Sequence, residues 1–372
     1  MNRLGGRIAR PDGSLLRGFV SFDGRVVSIE PSDRAGHDYI LPGLLDLQVN
    51  GSHGVDVMSA SADGLLSISK RLAAEGTTGW LPTAITSPLE SIERVHRSVD
   101  EAATAQEHDD RADSGASILG MHLEGPFISS RRLGAHPKLN LEPAGEALER
   151  ILALDRLRLL TLAPELPSAL EAISRLRARG VVVSLGHTDA TFEQAEAGIA
   201  AGATMFTHLF NAMRPMSHRD PGVIAAALLA RAAMPAVIPD AVHVHPAMLR
   251  LVYRLRGAAG MILTTDKIGL AGAPEASTSL VGVRIRVEGG AARLEDGTLA
   301  GSVISMLDGV RVMVEKAGVT AGEAAMMAAG NPAAMLSLAD RGRIEPGARA
   351  DLLVLSPGLD LKNVFVAGRE AG

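Results

Sequence analysis

The chain has 372 residues, 47% of them hydrophobic and 3% aromatic, with 37 basic and 42 acidic side chains and a formal net charge of −5. That length suits a barrel plus an accessory domain, and the slightly acidic, mixed charge excludes a general nucleic-acid binder, which shows a basic patch or stripe. The absence of cysteine excludes disulfides, thiolate nucleophiles and cysteine–zinc sites. No run approaches the ~18 consecutive apolar residues that span a bilayer. The opening MNRLGGRIARPDG contains no signal-like apolar stretch, so a soluble cytoplasmic protein is expected.

The first 40 residues read as short strands, with an Asp23–Gly24 hairpin turn between β-branched runs. From about residue 41 the pattern changes. Short apolar runs alternate with helical stretches such as SADGLLSISKRLAAEG and FEQAEAGIAAG, which predicts a parallel sheet with crossover helices. Eight such runs follow in order: 41–51, 77–87, 116–126, 157–165, 181–189, 203–212, 234–245 and 260–269. Eight units are the number that closes a (β/α)8 TIM barrel. The C-terminal RGRIEPGARADLLVLSP places a turn at Pro346–Gly347 between two apolar runs, and KNVFVAGRE adds a short strand. The expected architecture is therefore an α/β barrel over 42–339, with a small β-sandwich domain formed by 1–41 and 340–372.

Polar residues in the eight runs gather at their ends. They are Gln48 and Asn50, Thr86, His122 and Glu124, Glu165, His187, His208 and Asn211, Asp240 and His243, then Asp266. In a barrel those ends share one rim, the C-terminal face where catalytic groups collect. A hydrolytic metal site needs about three protein ligands and an open position. Without cysteine the candidates are His122, Glu124, His187, His208 and His243. Each histidine alone reads more readily as a hydrogen-bonded core or loop residue; four with a glutamate on successive strand ends read as a site. Asp266, ending the last run, is placed as a general base, or else as a helix cap or an ion-pair partner of Lys267. The loop HLFNAMRPMSHRDPG carries Arg214, His218 and Arg219, and HLEGPFISSRRLGAHP carries Arg131, Arg132 and His136. Each can hold an anionic group or be a solvated surface loop. No glycine-rich nucleotide-cofactor signature follows any strand.

At these residues the sequence resembles the N-acetylglucosamine-6-phosphate deacetylase family of amidohydrolases. LPGLLDLQVNG, HLEGPF with GAHP, TLAPE, SLGHTDAT, THLFNAM with RDPG, LTTD and LAGSVISM carry the likeness in order, and NPAAMLSLADRGRIEPGARADLLVL extends it to the C-terminal part. The resemblance implies hydrolysis of N-acetylglucosamine 6-phosphate to glucosamine 6-phosphate and acetate, in amino sugar catabolism. It implies metal ligands at Glu124, His187 and His208, a catalytic Asp266, and His243 polarising the amide carbonyl. It further implies substrate contacts at Ala135, His136, Asn211, Ala212, Leu299, Ala300 and Gly301. Arg219 would bind phosphate in the neighbouring subunit's site, which implies a homodimer. Gln48 and Asn50 stand where many amidohydrolases have His-x-His, so they are expected near the metal without ligating a second ion. One divalent ion per subunit is expected, zinc first, with iron, cobalt, manganese or nickel as alternatives. Ala241 departs from the family's Asp-Gly-x-His, and Lys267 replaces a small residue. If Lys267 faced the site, it would lower the Asp266 pKa. The alternatives are deacetylation of the galactosamine epimer or of a non-phosphorylated amide, and a barrel that serves only as a scaffold.

Overall fold

The structure, a computed structural model, describes residues 1–108, 115–273, 277–280 and 283–371. Eight strands run parallel in one sheet: Leu44–Val49, Thr77–Ile85, Met121–Glu124, Leu157–Leu162, Val182–Leu185, Met205–Phe206, Met234–Val237 and Ile262–Leu263. A parallel bridge between Val49 and Lys267 joins the first strand to the exit of the last and closes the ring. Each strand lies inside one of the eight predicted apolar runs. The helices between them obey local rules. Ala62–Ala74 begins at Ser61, whose side chain accepts from Gly64 N–H. Phe192–Ala201 begins with a capping box of Thr191 and Gln194 and ends at Gly202. Among the described residues, no helix is long and apolar enough to cross a membrane.

The barrel interior is layered by the two-residue period of the strands. Leu81, Leu159, Met205 and Ile262 belong to one buried apolar cluster, which also takes in Leu336. Two residues further along each strand stand Thr83, Thr161, Thr207 and Thr264, all buried. Two more residues along reach Ile85, Ala163, Leu209 and Asp266, so on these four strands a single carboxylate, Asp266, stands above the hydroxyl layer, which rests on an apolar plug.

Both termini build one seven-stranded sheet. Its order is Arg369–Glu370, Leu361–Val366, Leu352–Leu355, Tyr39–Pro42, Asn2–Ala9, Leu15–Phe22 and Val26–Pro31. The two ends of the chain meet where Leu353 pairs with Leu41, and the sheet holds its own core of Ile8, Val20, Phe22, Ile40, Leu352 and Phe365. The hairpin at Asp23–Gly24 is present. At Pro346–Gly347 a turn forms, with Ala348 N–H donating to Glu345 O (2.9 Å), but the residues before it form no strand; Ile344 is drawn into the core of the sheet instead. Gly372, the last residue of the predicted 340–372 segment, lies outside the described residues. One element was not expected: after the last barrel strand, Ser277–Leu280, Val283–Glu288 and Ala291–Leu294 form a separate antiparallel sheet. The segment that follows it, Thr298–Gly301, returns to the mouth of the barrel.

Candidate active site

Three residues at strand exits adopt left-handed backbone conformations: His187 (φ 47°), His208 (φ 28°) and Asp266 (φ 52°). Such conformations cost non-glycine residues about 1–3 kcal/mol each and persist only where the surroundings impose them. At His187 the causes are visible. Gly186 precedes it, and a Cβ there would stand 2.7 Å from Thr207 Cβ. Glu165 then fixes the following turn, accepting from Thr188 Oγ1 and from Asp189 N–H, both at 2.6 Å.

These bends bring Glu124, His187 and His208 together. His187 Nε2 lies 3.1 Å from Glu124 Oε1, His208 Nε2 lies 2.9 Å from the same oxygen, and the two nitrogens are 3.1 Å apart. His187 Nδ1 faces the Arg132 carbonyl at 2.9 Å. A carbonyl only accepts, so this nitrogen carries a proton and Nε2 is turned toward the carboxylate oxygen. Zinc ligands at about 2.0–2.1 Å in a tetrahedron lie roughly 3.3 Å apart, close to the spacing found here. The donor set and its geometry fit a divalent cation. Glu124, His136 and His187 also offer ligand atoms within 4.8 Å of one another. The Glu124, His187 and His208 triangle is the tighter of the two groups. Among the described residues, the two buried side-chain atoms without a hydrogen-bond partner, Asn50 Oδ1 and His208 Nδ1, both belong to this cluster.

Burial works to raise the Glu124 carboxyl, but the surrounding imidazoles of His136, His187 and His208 outweigh it and hold the group well below the usual carboxylate range. Burial pushes the His136 imidazole down to about 4, with His187 adding to the effect. His208 goes the other way: burial opposes its charge, but Glu124 raises it. Asp266 is pushed up to about 6 by burial and then by the Glu124 charge, against His208, His243 and an Asn50 hydrogen bond.

Gln48 Nε2 donates to Glu124 Oε1 (3.0 Å) and to Asp266 Oδ1 (3.0 Å), and Asn50 Nδ2 donates to the same Asp266 oxygen (2.7 Å). The two amides thus orient the carboxylates rather than hold an ion of their own. His243 Nδ1 bonds Asp240 Oδ2 at 2.5 Å, and Asp240 Oδ1 accepts from Val242 and His243 N–H (2.8 and 2.7 Å). This fixes one ring nitrogen of His243 and leaves Nε2 for the cavity that His243 lines. Ala241, inside that turn, has φ 63°. Ala241→Gly is expected to raise stability by about 1 kcal/mol, the left-handed penalty of a Cβ less the entropy glycine adds to the unfolded chain; chemical denaturation measures it.

Above this floor lies a cavity of about 230 Å³. Its walls include Ala135, His136, Asn211, Ala212, His243, Leu299, Ala300 and Gly301, so all the predicted substrate residues except Arg219 are brought together. Arg219 is exposed at the tip of its loop and does not line the cavity. Arg214 in the same loop is neutralised by Asp220 (2.5 Å) and faces Asp189 (3.7 Å). Arg131 and Arg132 also pair with Asp189.

Two residues that the sequence left open lie outside the ligand cluster. His122 is no member of the ligand cluster: it sits in the hydroxyl layer, with Nε2 2.9 Å from Thr161 Oγ1, and burial pushes it down to about 4. Lys267 does not line the cavity. Its side chain, 2% exposed, instead pairs with Glu75 at the end of helix Ala62–Ala74. Asp266 is raised, not lowered. Lys267→Met should therefore cost about 2–3 kcal/mol of stability by stranding Glu75, and should leave the pH dependence of turnover in place. Asp46 was not singled out by the sequence. It is fully buried and accepts from Thr264 Oγ1 (3.0 Å) and from Thr265 N–H and Oγ1, tying the first strand to the last below the site.

Residues 39–371 match the amidohydrolase family model. An N-acetylglucosamine-6-phosphate deacetylase of Lysinibacillus sphaericus is 36% identical over 334 residues, covering 89% of this chain and 85% of that protein. An N-acetylgalactosamine-6-phosphate deacetylase of Escherichia coli O157:H7 is 36% identical over 358 residues, covering 94% and 93%. Among solved structures, N-acetyl-D-glucosamine-6-phosphate deacetylase from Mycobacterium smegmatis, in complex with N-acetyl-D-glucosamine-6-phosphate, superimposes with a TM-score of 0.91 at 32% identity, covering 99% of this chain and 98% of that one. With a rim of carboxylate and imidazole groups on a parallel barrel, the chain belongs to the amidohydrolase family. Within it, the chain falls among the N-acetylglucosamine-6-phosphate deacetylases.

Proposed function

We propose that the protein hydrolyses the N-acetyl group of N-acetyl-D-glucosamine 6-phosphate, giving D-glucosamine 6-phosphate and acetate, a step of amino sugar catabolism. The observation that carries this reading is the convergence of Glu124, His187 and His208 beneath a cavity that also receives Asp266 and His243. Glu124, His187 and His208 would hold one divalent ion. Zinc suits imidazole and carboxylate donors best, with iron, cobalt, manganese or nickel as the other candidates. When bound, the ion supplies Lewis acidity and a lowered water pKa. Asp266 takes the proton of the attacking water as its oxygen bonds to the acetyl carbon. His243, oriented by Asp240, turns Nε2 toward the carbonyl oxygen and stabilises the charge that develops there. Asp266 then returns its proton to the nitrogen as the C–N bond breaks, leaving acetate and a free amine. Ala135, His136, Asn211, Ala212 and the Leu299–Gly301 segment bind the sugar.

Arg219 makes no hydrogen bond or ion pair with the described residues, and its place on an exposed loop supports a role in a second subunit's site, completing a homodimer around the phosphate. The 36% identity to the galactosamine-epimer deacetylase over 94% of the chain favours one other reading: the same chemistry on N-acetylgalactosamine 6-phosphate. Acetate release measured on both epimers, each with and without the 6-phosphate, tests the proposal. The glucosamine phosphate should have the highest kcat/KM; a higher value for the epimer would transfer the assignment to it, and equal rates without phosphate would remove the role of Arg219.

A further inference from the structure

We propose that His136 is a fourth, displaceable ligand of the metal, occupying the resting site and giving way when substrate enters. This rests on the reading of Glu124, His187 and His208 as the ligand set.

Glu124 turns its two oxygens to different partners. Oε1 faces His187 and His208, and Oε2 faces His136 Nε2 at 3.5 Å. His136 is thus placed on the unused oxygen of the same carboxylate, its side chain 6% exposed, and its ring stacks obliquely on His187 with centroids 4.3 Å apart. The contacts of the ring show which nitrogen faces the cluster. Thr86 Oγ1 donates its proton to the Glu124 backbone carbonyl (3.4 Å), and His136 Nδ1 lies 2.9 Å from that same Thr86 oxygen. With Nδ1 engaged by Thr86, Nε2 is the ring nitrogen turned toward the ligand cluster. It faces the Glu124 carboxylate, and the ligand atoms of Glu124, His136 and His187 all lie within 4.8 Å of one another. His187 shows the same arrangement, its Nδ1 proton on the Arg132 carbonyl. Imidazole nitrogens gathered around one buried carboxylate in this way are placed to share a cation with it.

The placement also explains why this ligand can leave. The other three donors project from barrel strand exits, whereas His136 sits on the 129–138 loop, which forms no helix or strand. Its neighbours Gly134 and Ala135 line the cavity, so a ligand entering there meets this loop directly. Its 3.5 Å separation from Glu124 is longer than the 2.9 and 3.1 Å of the strand-borne histidines. A hydrolytic site needs a position that opens, and the ligand on the loop is the one able to vacate it.

The test uses cobalt(II) as the probe, loaded into the full-length chain and into His136→Gln and His136→Asn, with affinity read by competition with a chelator and coordination read from the visible absorption band. Thermal unfolding of the metal-free proteins checks that each variant is folded, and either folded variant suffices. The expected result is affinity weakened about tenfold or more with a changed band. In an Asp266→Asn background, adding N-acetylglucosamine 6-phosphate should move the band toward that of His136→Gln, and should move it no further once His136 is replaced. A histidine that touches only substrate would raise KM while leaving affinity and band unchanged; that result overturns the proposal. If the unsubstituted chain takes up no stoichiometric cobalt, the ligand set itself is wrong and this inference fails with it. If it takes up one equivalent and neither variant differs, only the role of His136 is lost.

Discussion

Asp266→Asn is expected to lower kcat about 10²–10⁴-fold while leaving one divalent ion bound per chain. Asparagine keeps the acceptor that Gln48 and Asn50 hold, so the side chain stays in place and only the base is lost. In the parent enzyme the acid limb of the pH–rate profile should fall at or below pH about 6, because the carboxyl is pushed up to about 6 by the protein and a bound cation opposes that rise. Turnover is lost as pH falls through this value, because a protonated Asp266 cannot accept. The variant should lose the limb. It should also be more stable than the parent when both are metal-free. The folded pKa lies above the unfolded one, so ionised Asp266 destabilises the fold. The penalty is absent below pH ~4, grows toward pH 6 and is complete above it. Above pH 6 the metal-free variant should be more stable than the parent by on the order of a few kcal/mol. A group that costs stability in the empty protein and is needed for turnover is what a functional carboxylate shows and a structural one does not. Single-turnover kinetics and denaturant titrations across pH measure both effects.

Glu124→Gln is expected to abolish metal uptake at micromolar metal and, with it, turnover. Its carboxylate is the one anion shared by His136, His187 and His208. An amide presents a weaker donor on one atom and an N–H on the other, which points a proton at an imidazole lone pair. Metal analysis after dialysis reads the first effect and acetate release the second. Retention of one tightly held ion would remove Glu124 from the ligand set.

Much of this site was legible because a barrel turns linear position into geometry. Glu124, His187, His208 and Asp266 are distant in the sequence, yet each ends an apolar run, and eight such ends must share one rim. The same logic overreached at His122. It stands two residues before Glu124 on the same strand face, one layer lower, where Thr161 and Thr83 take its nitrogens. Strand alternation gives the face; depth depends on where the strand ends. Contacts made by the backbone could not be read at all, such as the Arg132 carbonyl that sets the His187 tautomer. Nor could the partner of Lys267, because Glu75 lies at the end of a helix that packs outside the barrel. The antiparallel sheet at 277–294 did leave a trace, since VRIRVE alternates and Gly289–Gly290 is a hairpin signal. A count of eight barrel units leaves it unassigned, although the segment after it supplies Leu299, Ala300 and Gly301.

The most direct test is to strip the protein with a chelator, restore zinc in measured steps, and follow acetate release from N-acetylglucosamine 6-phosphate. Activity should be absent at first, rise with added zinc and level off at one equivalent per chain. Full activity in the stripped protein, or saturation without any bound ion, would contradict a hydrolase built on Glu124, His187 and His208.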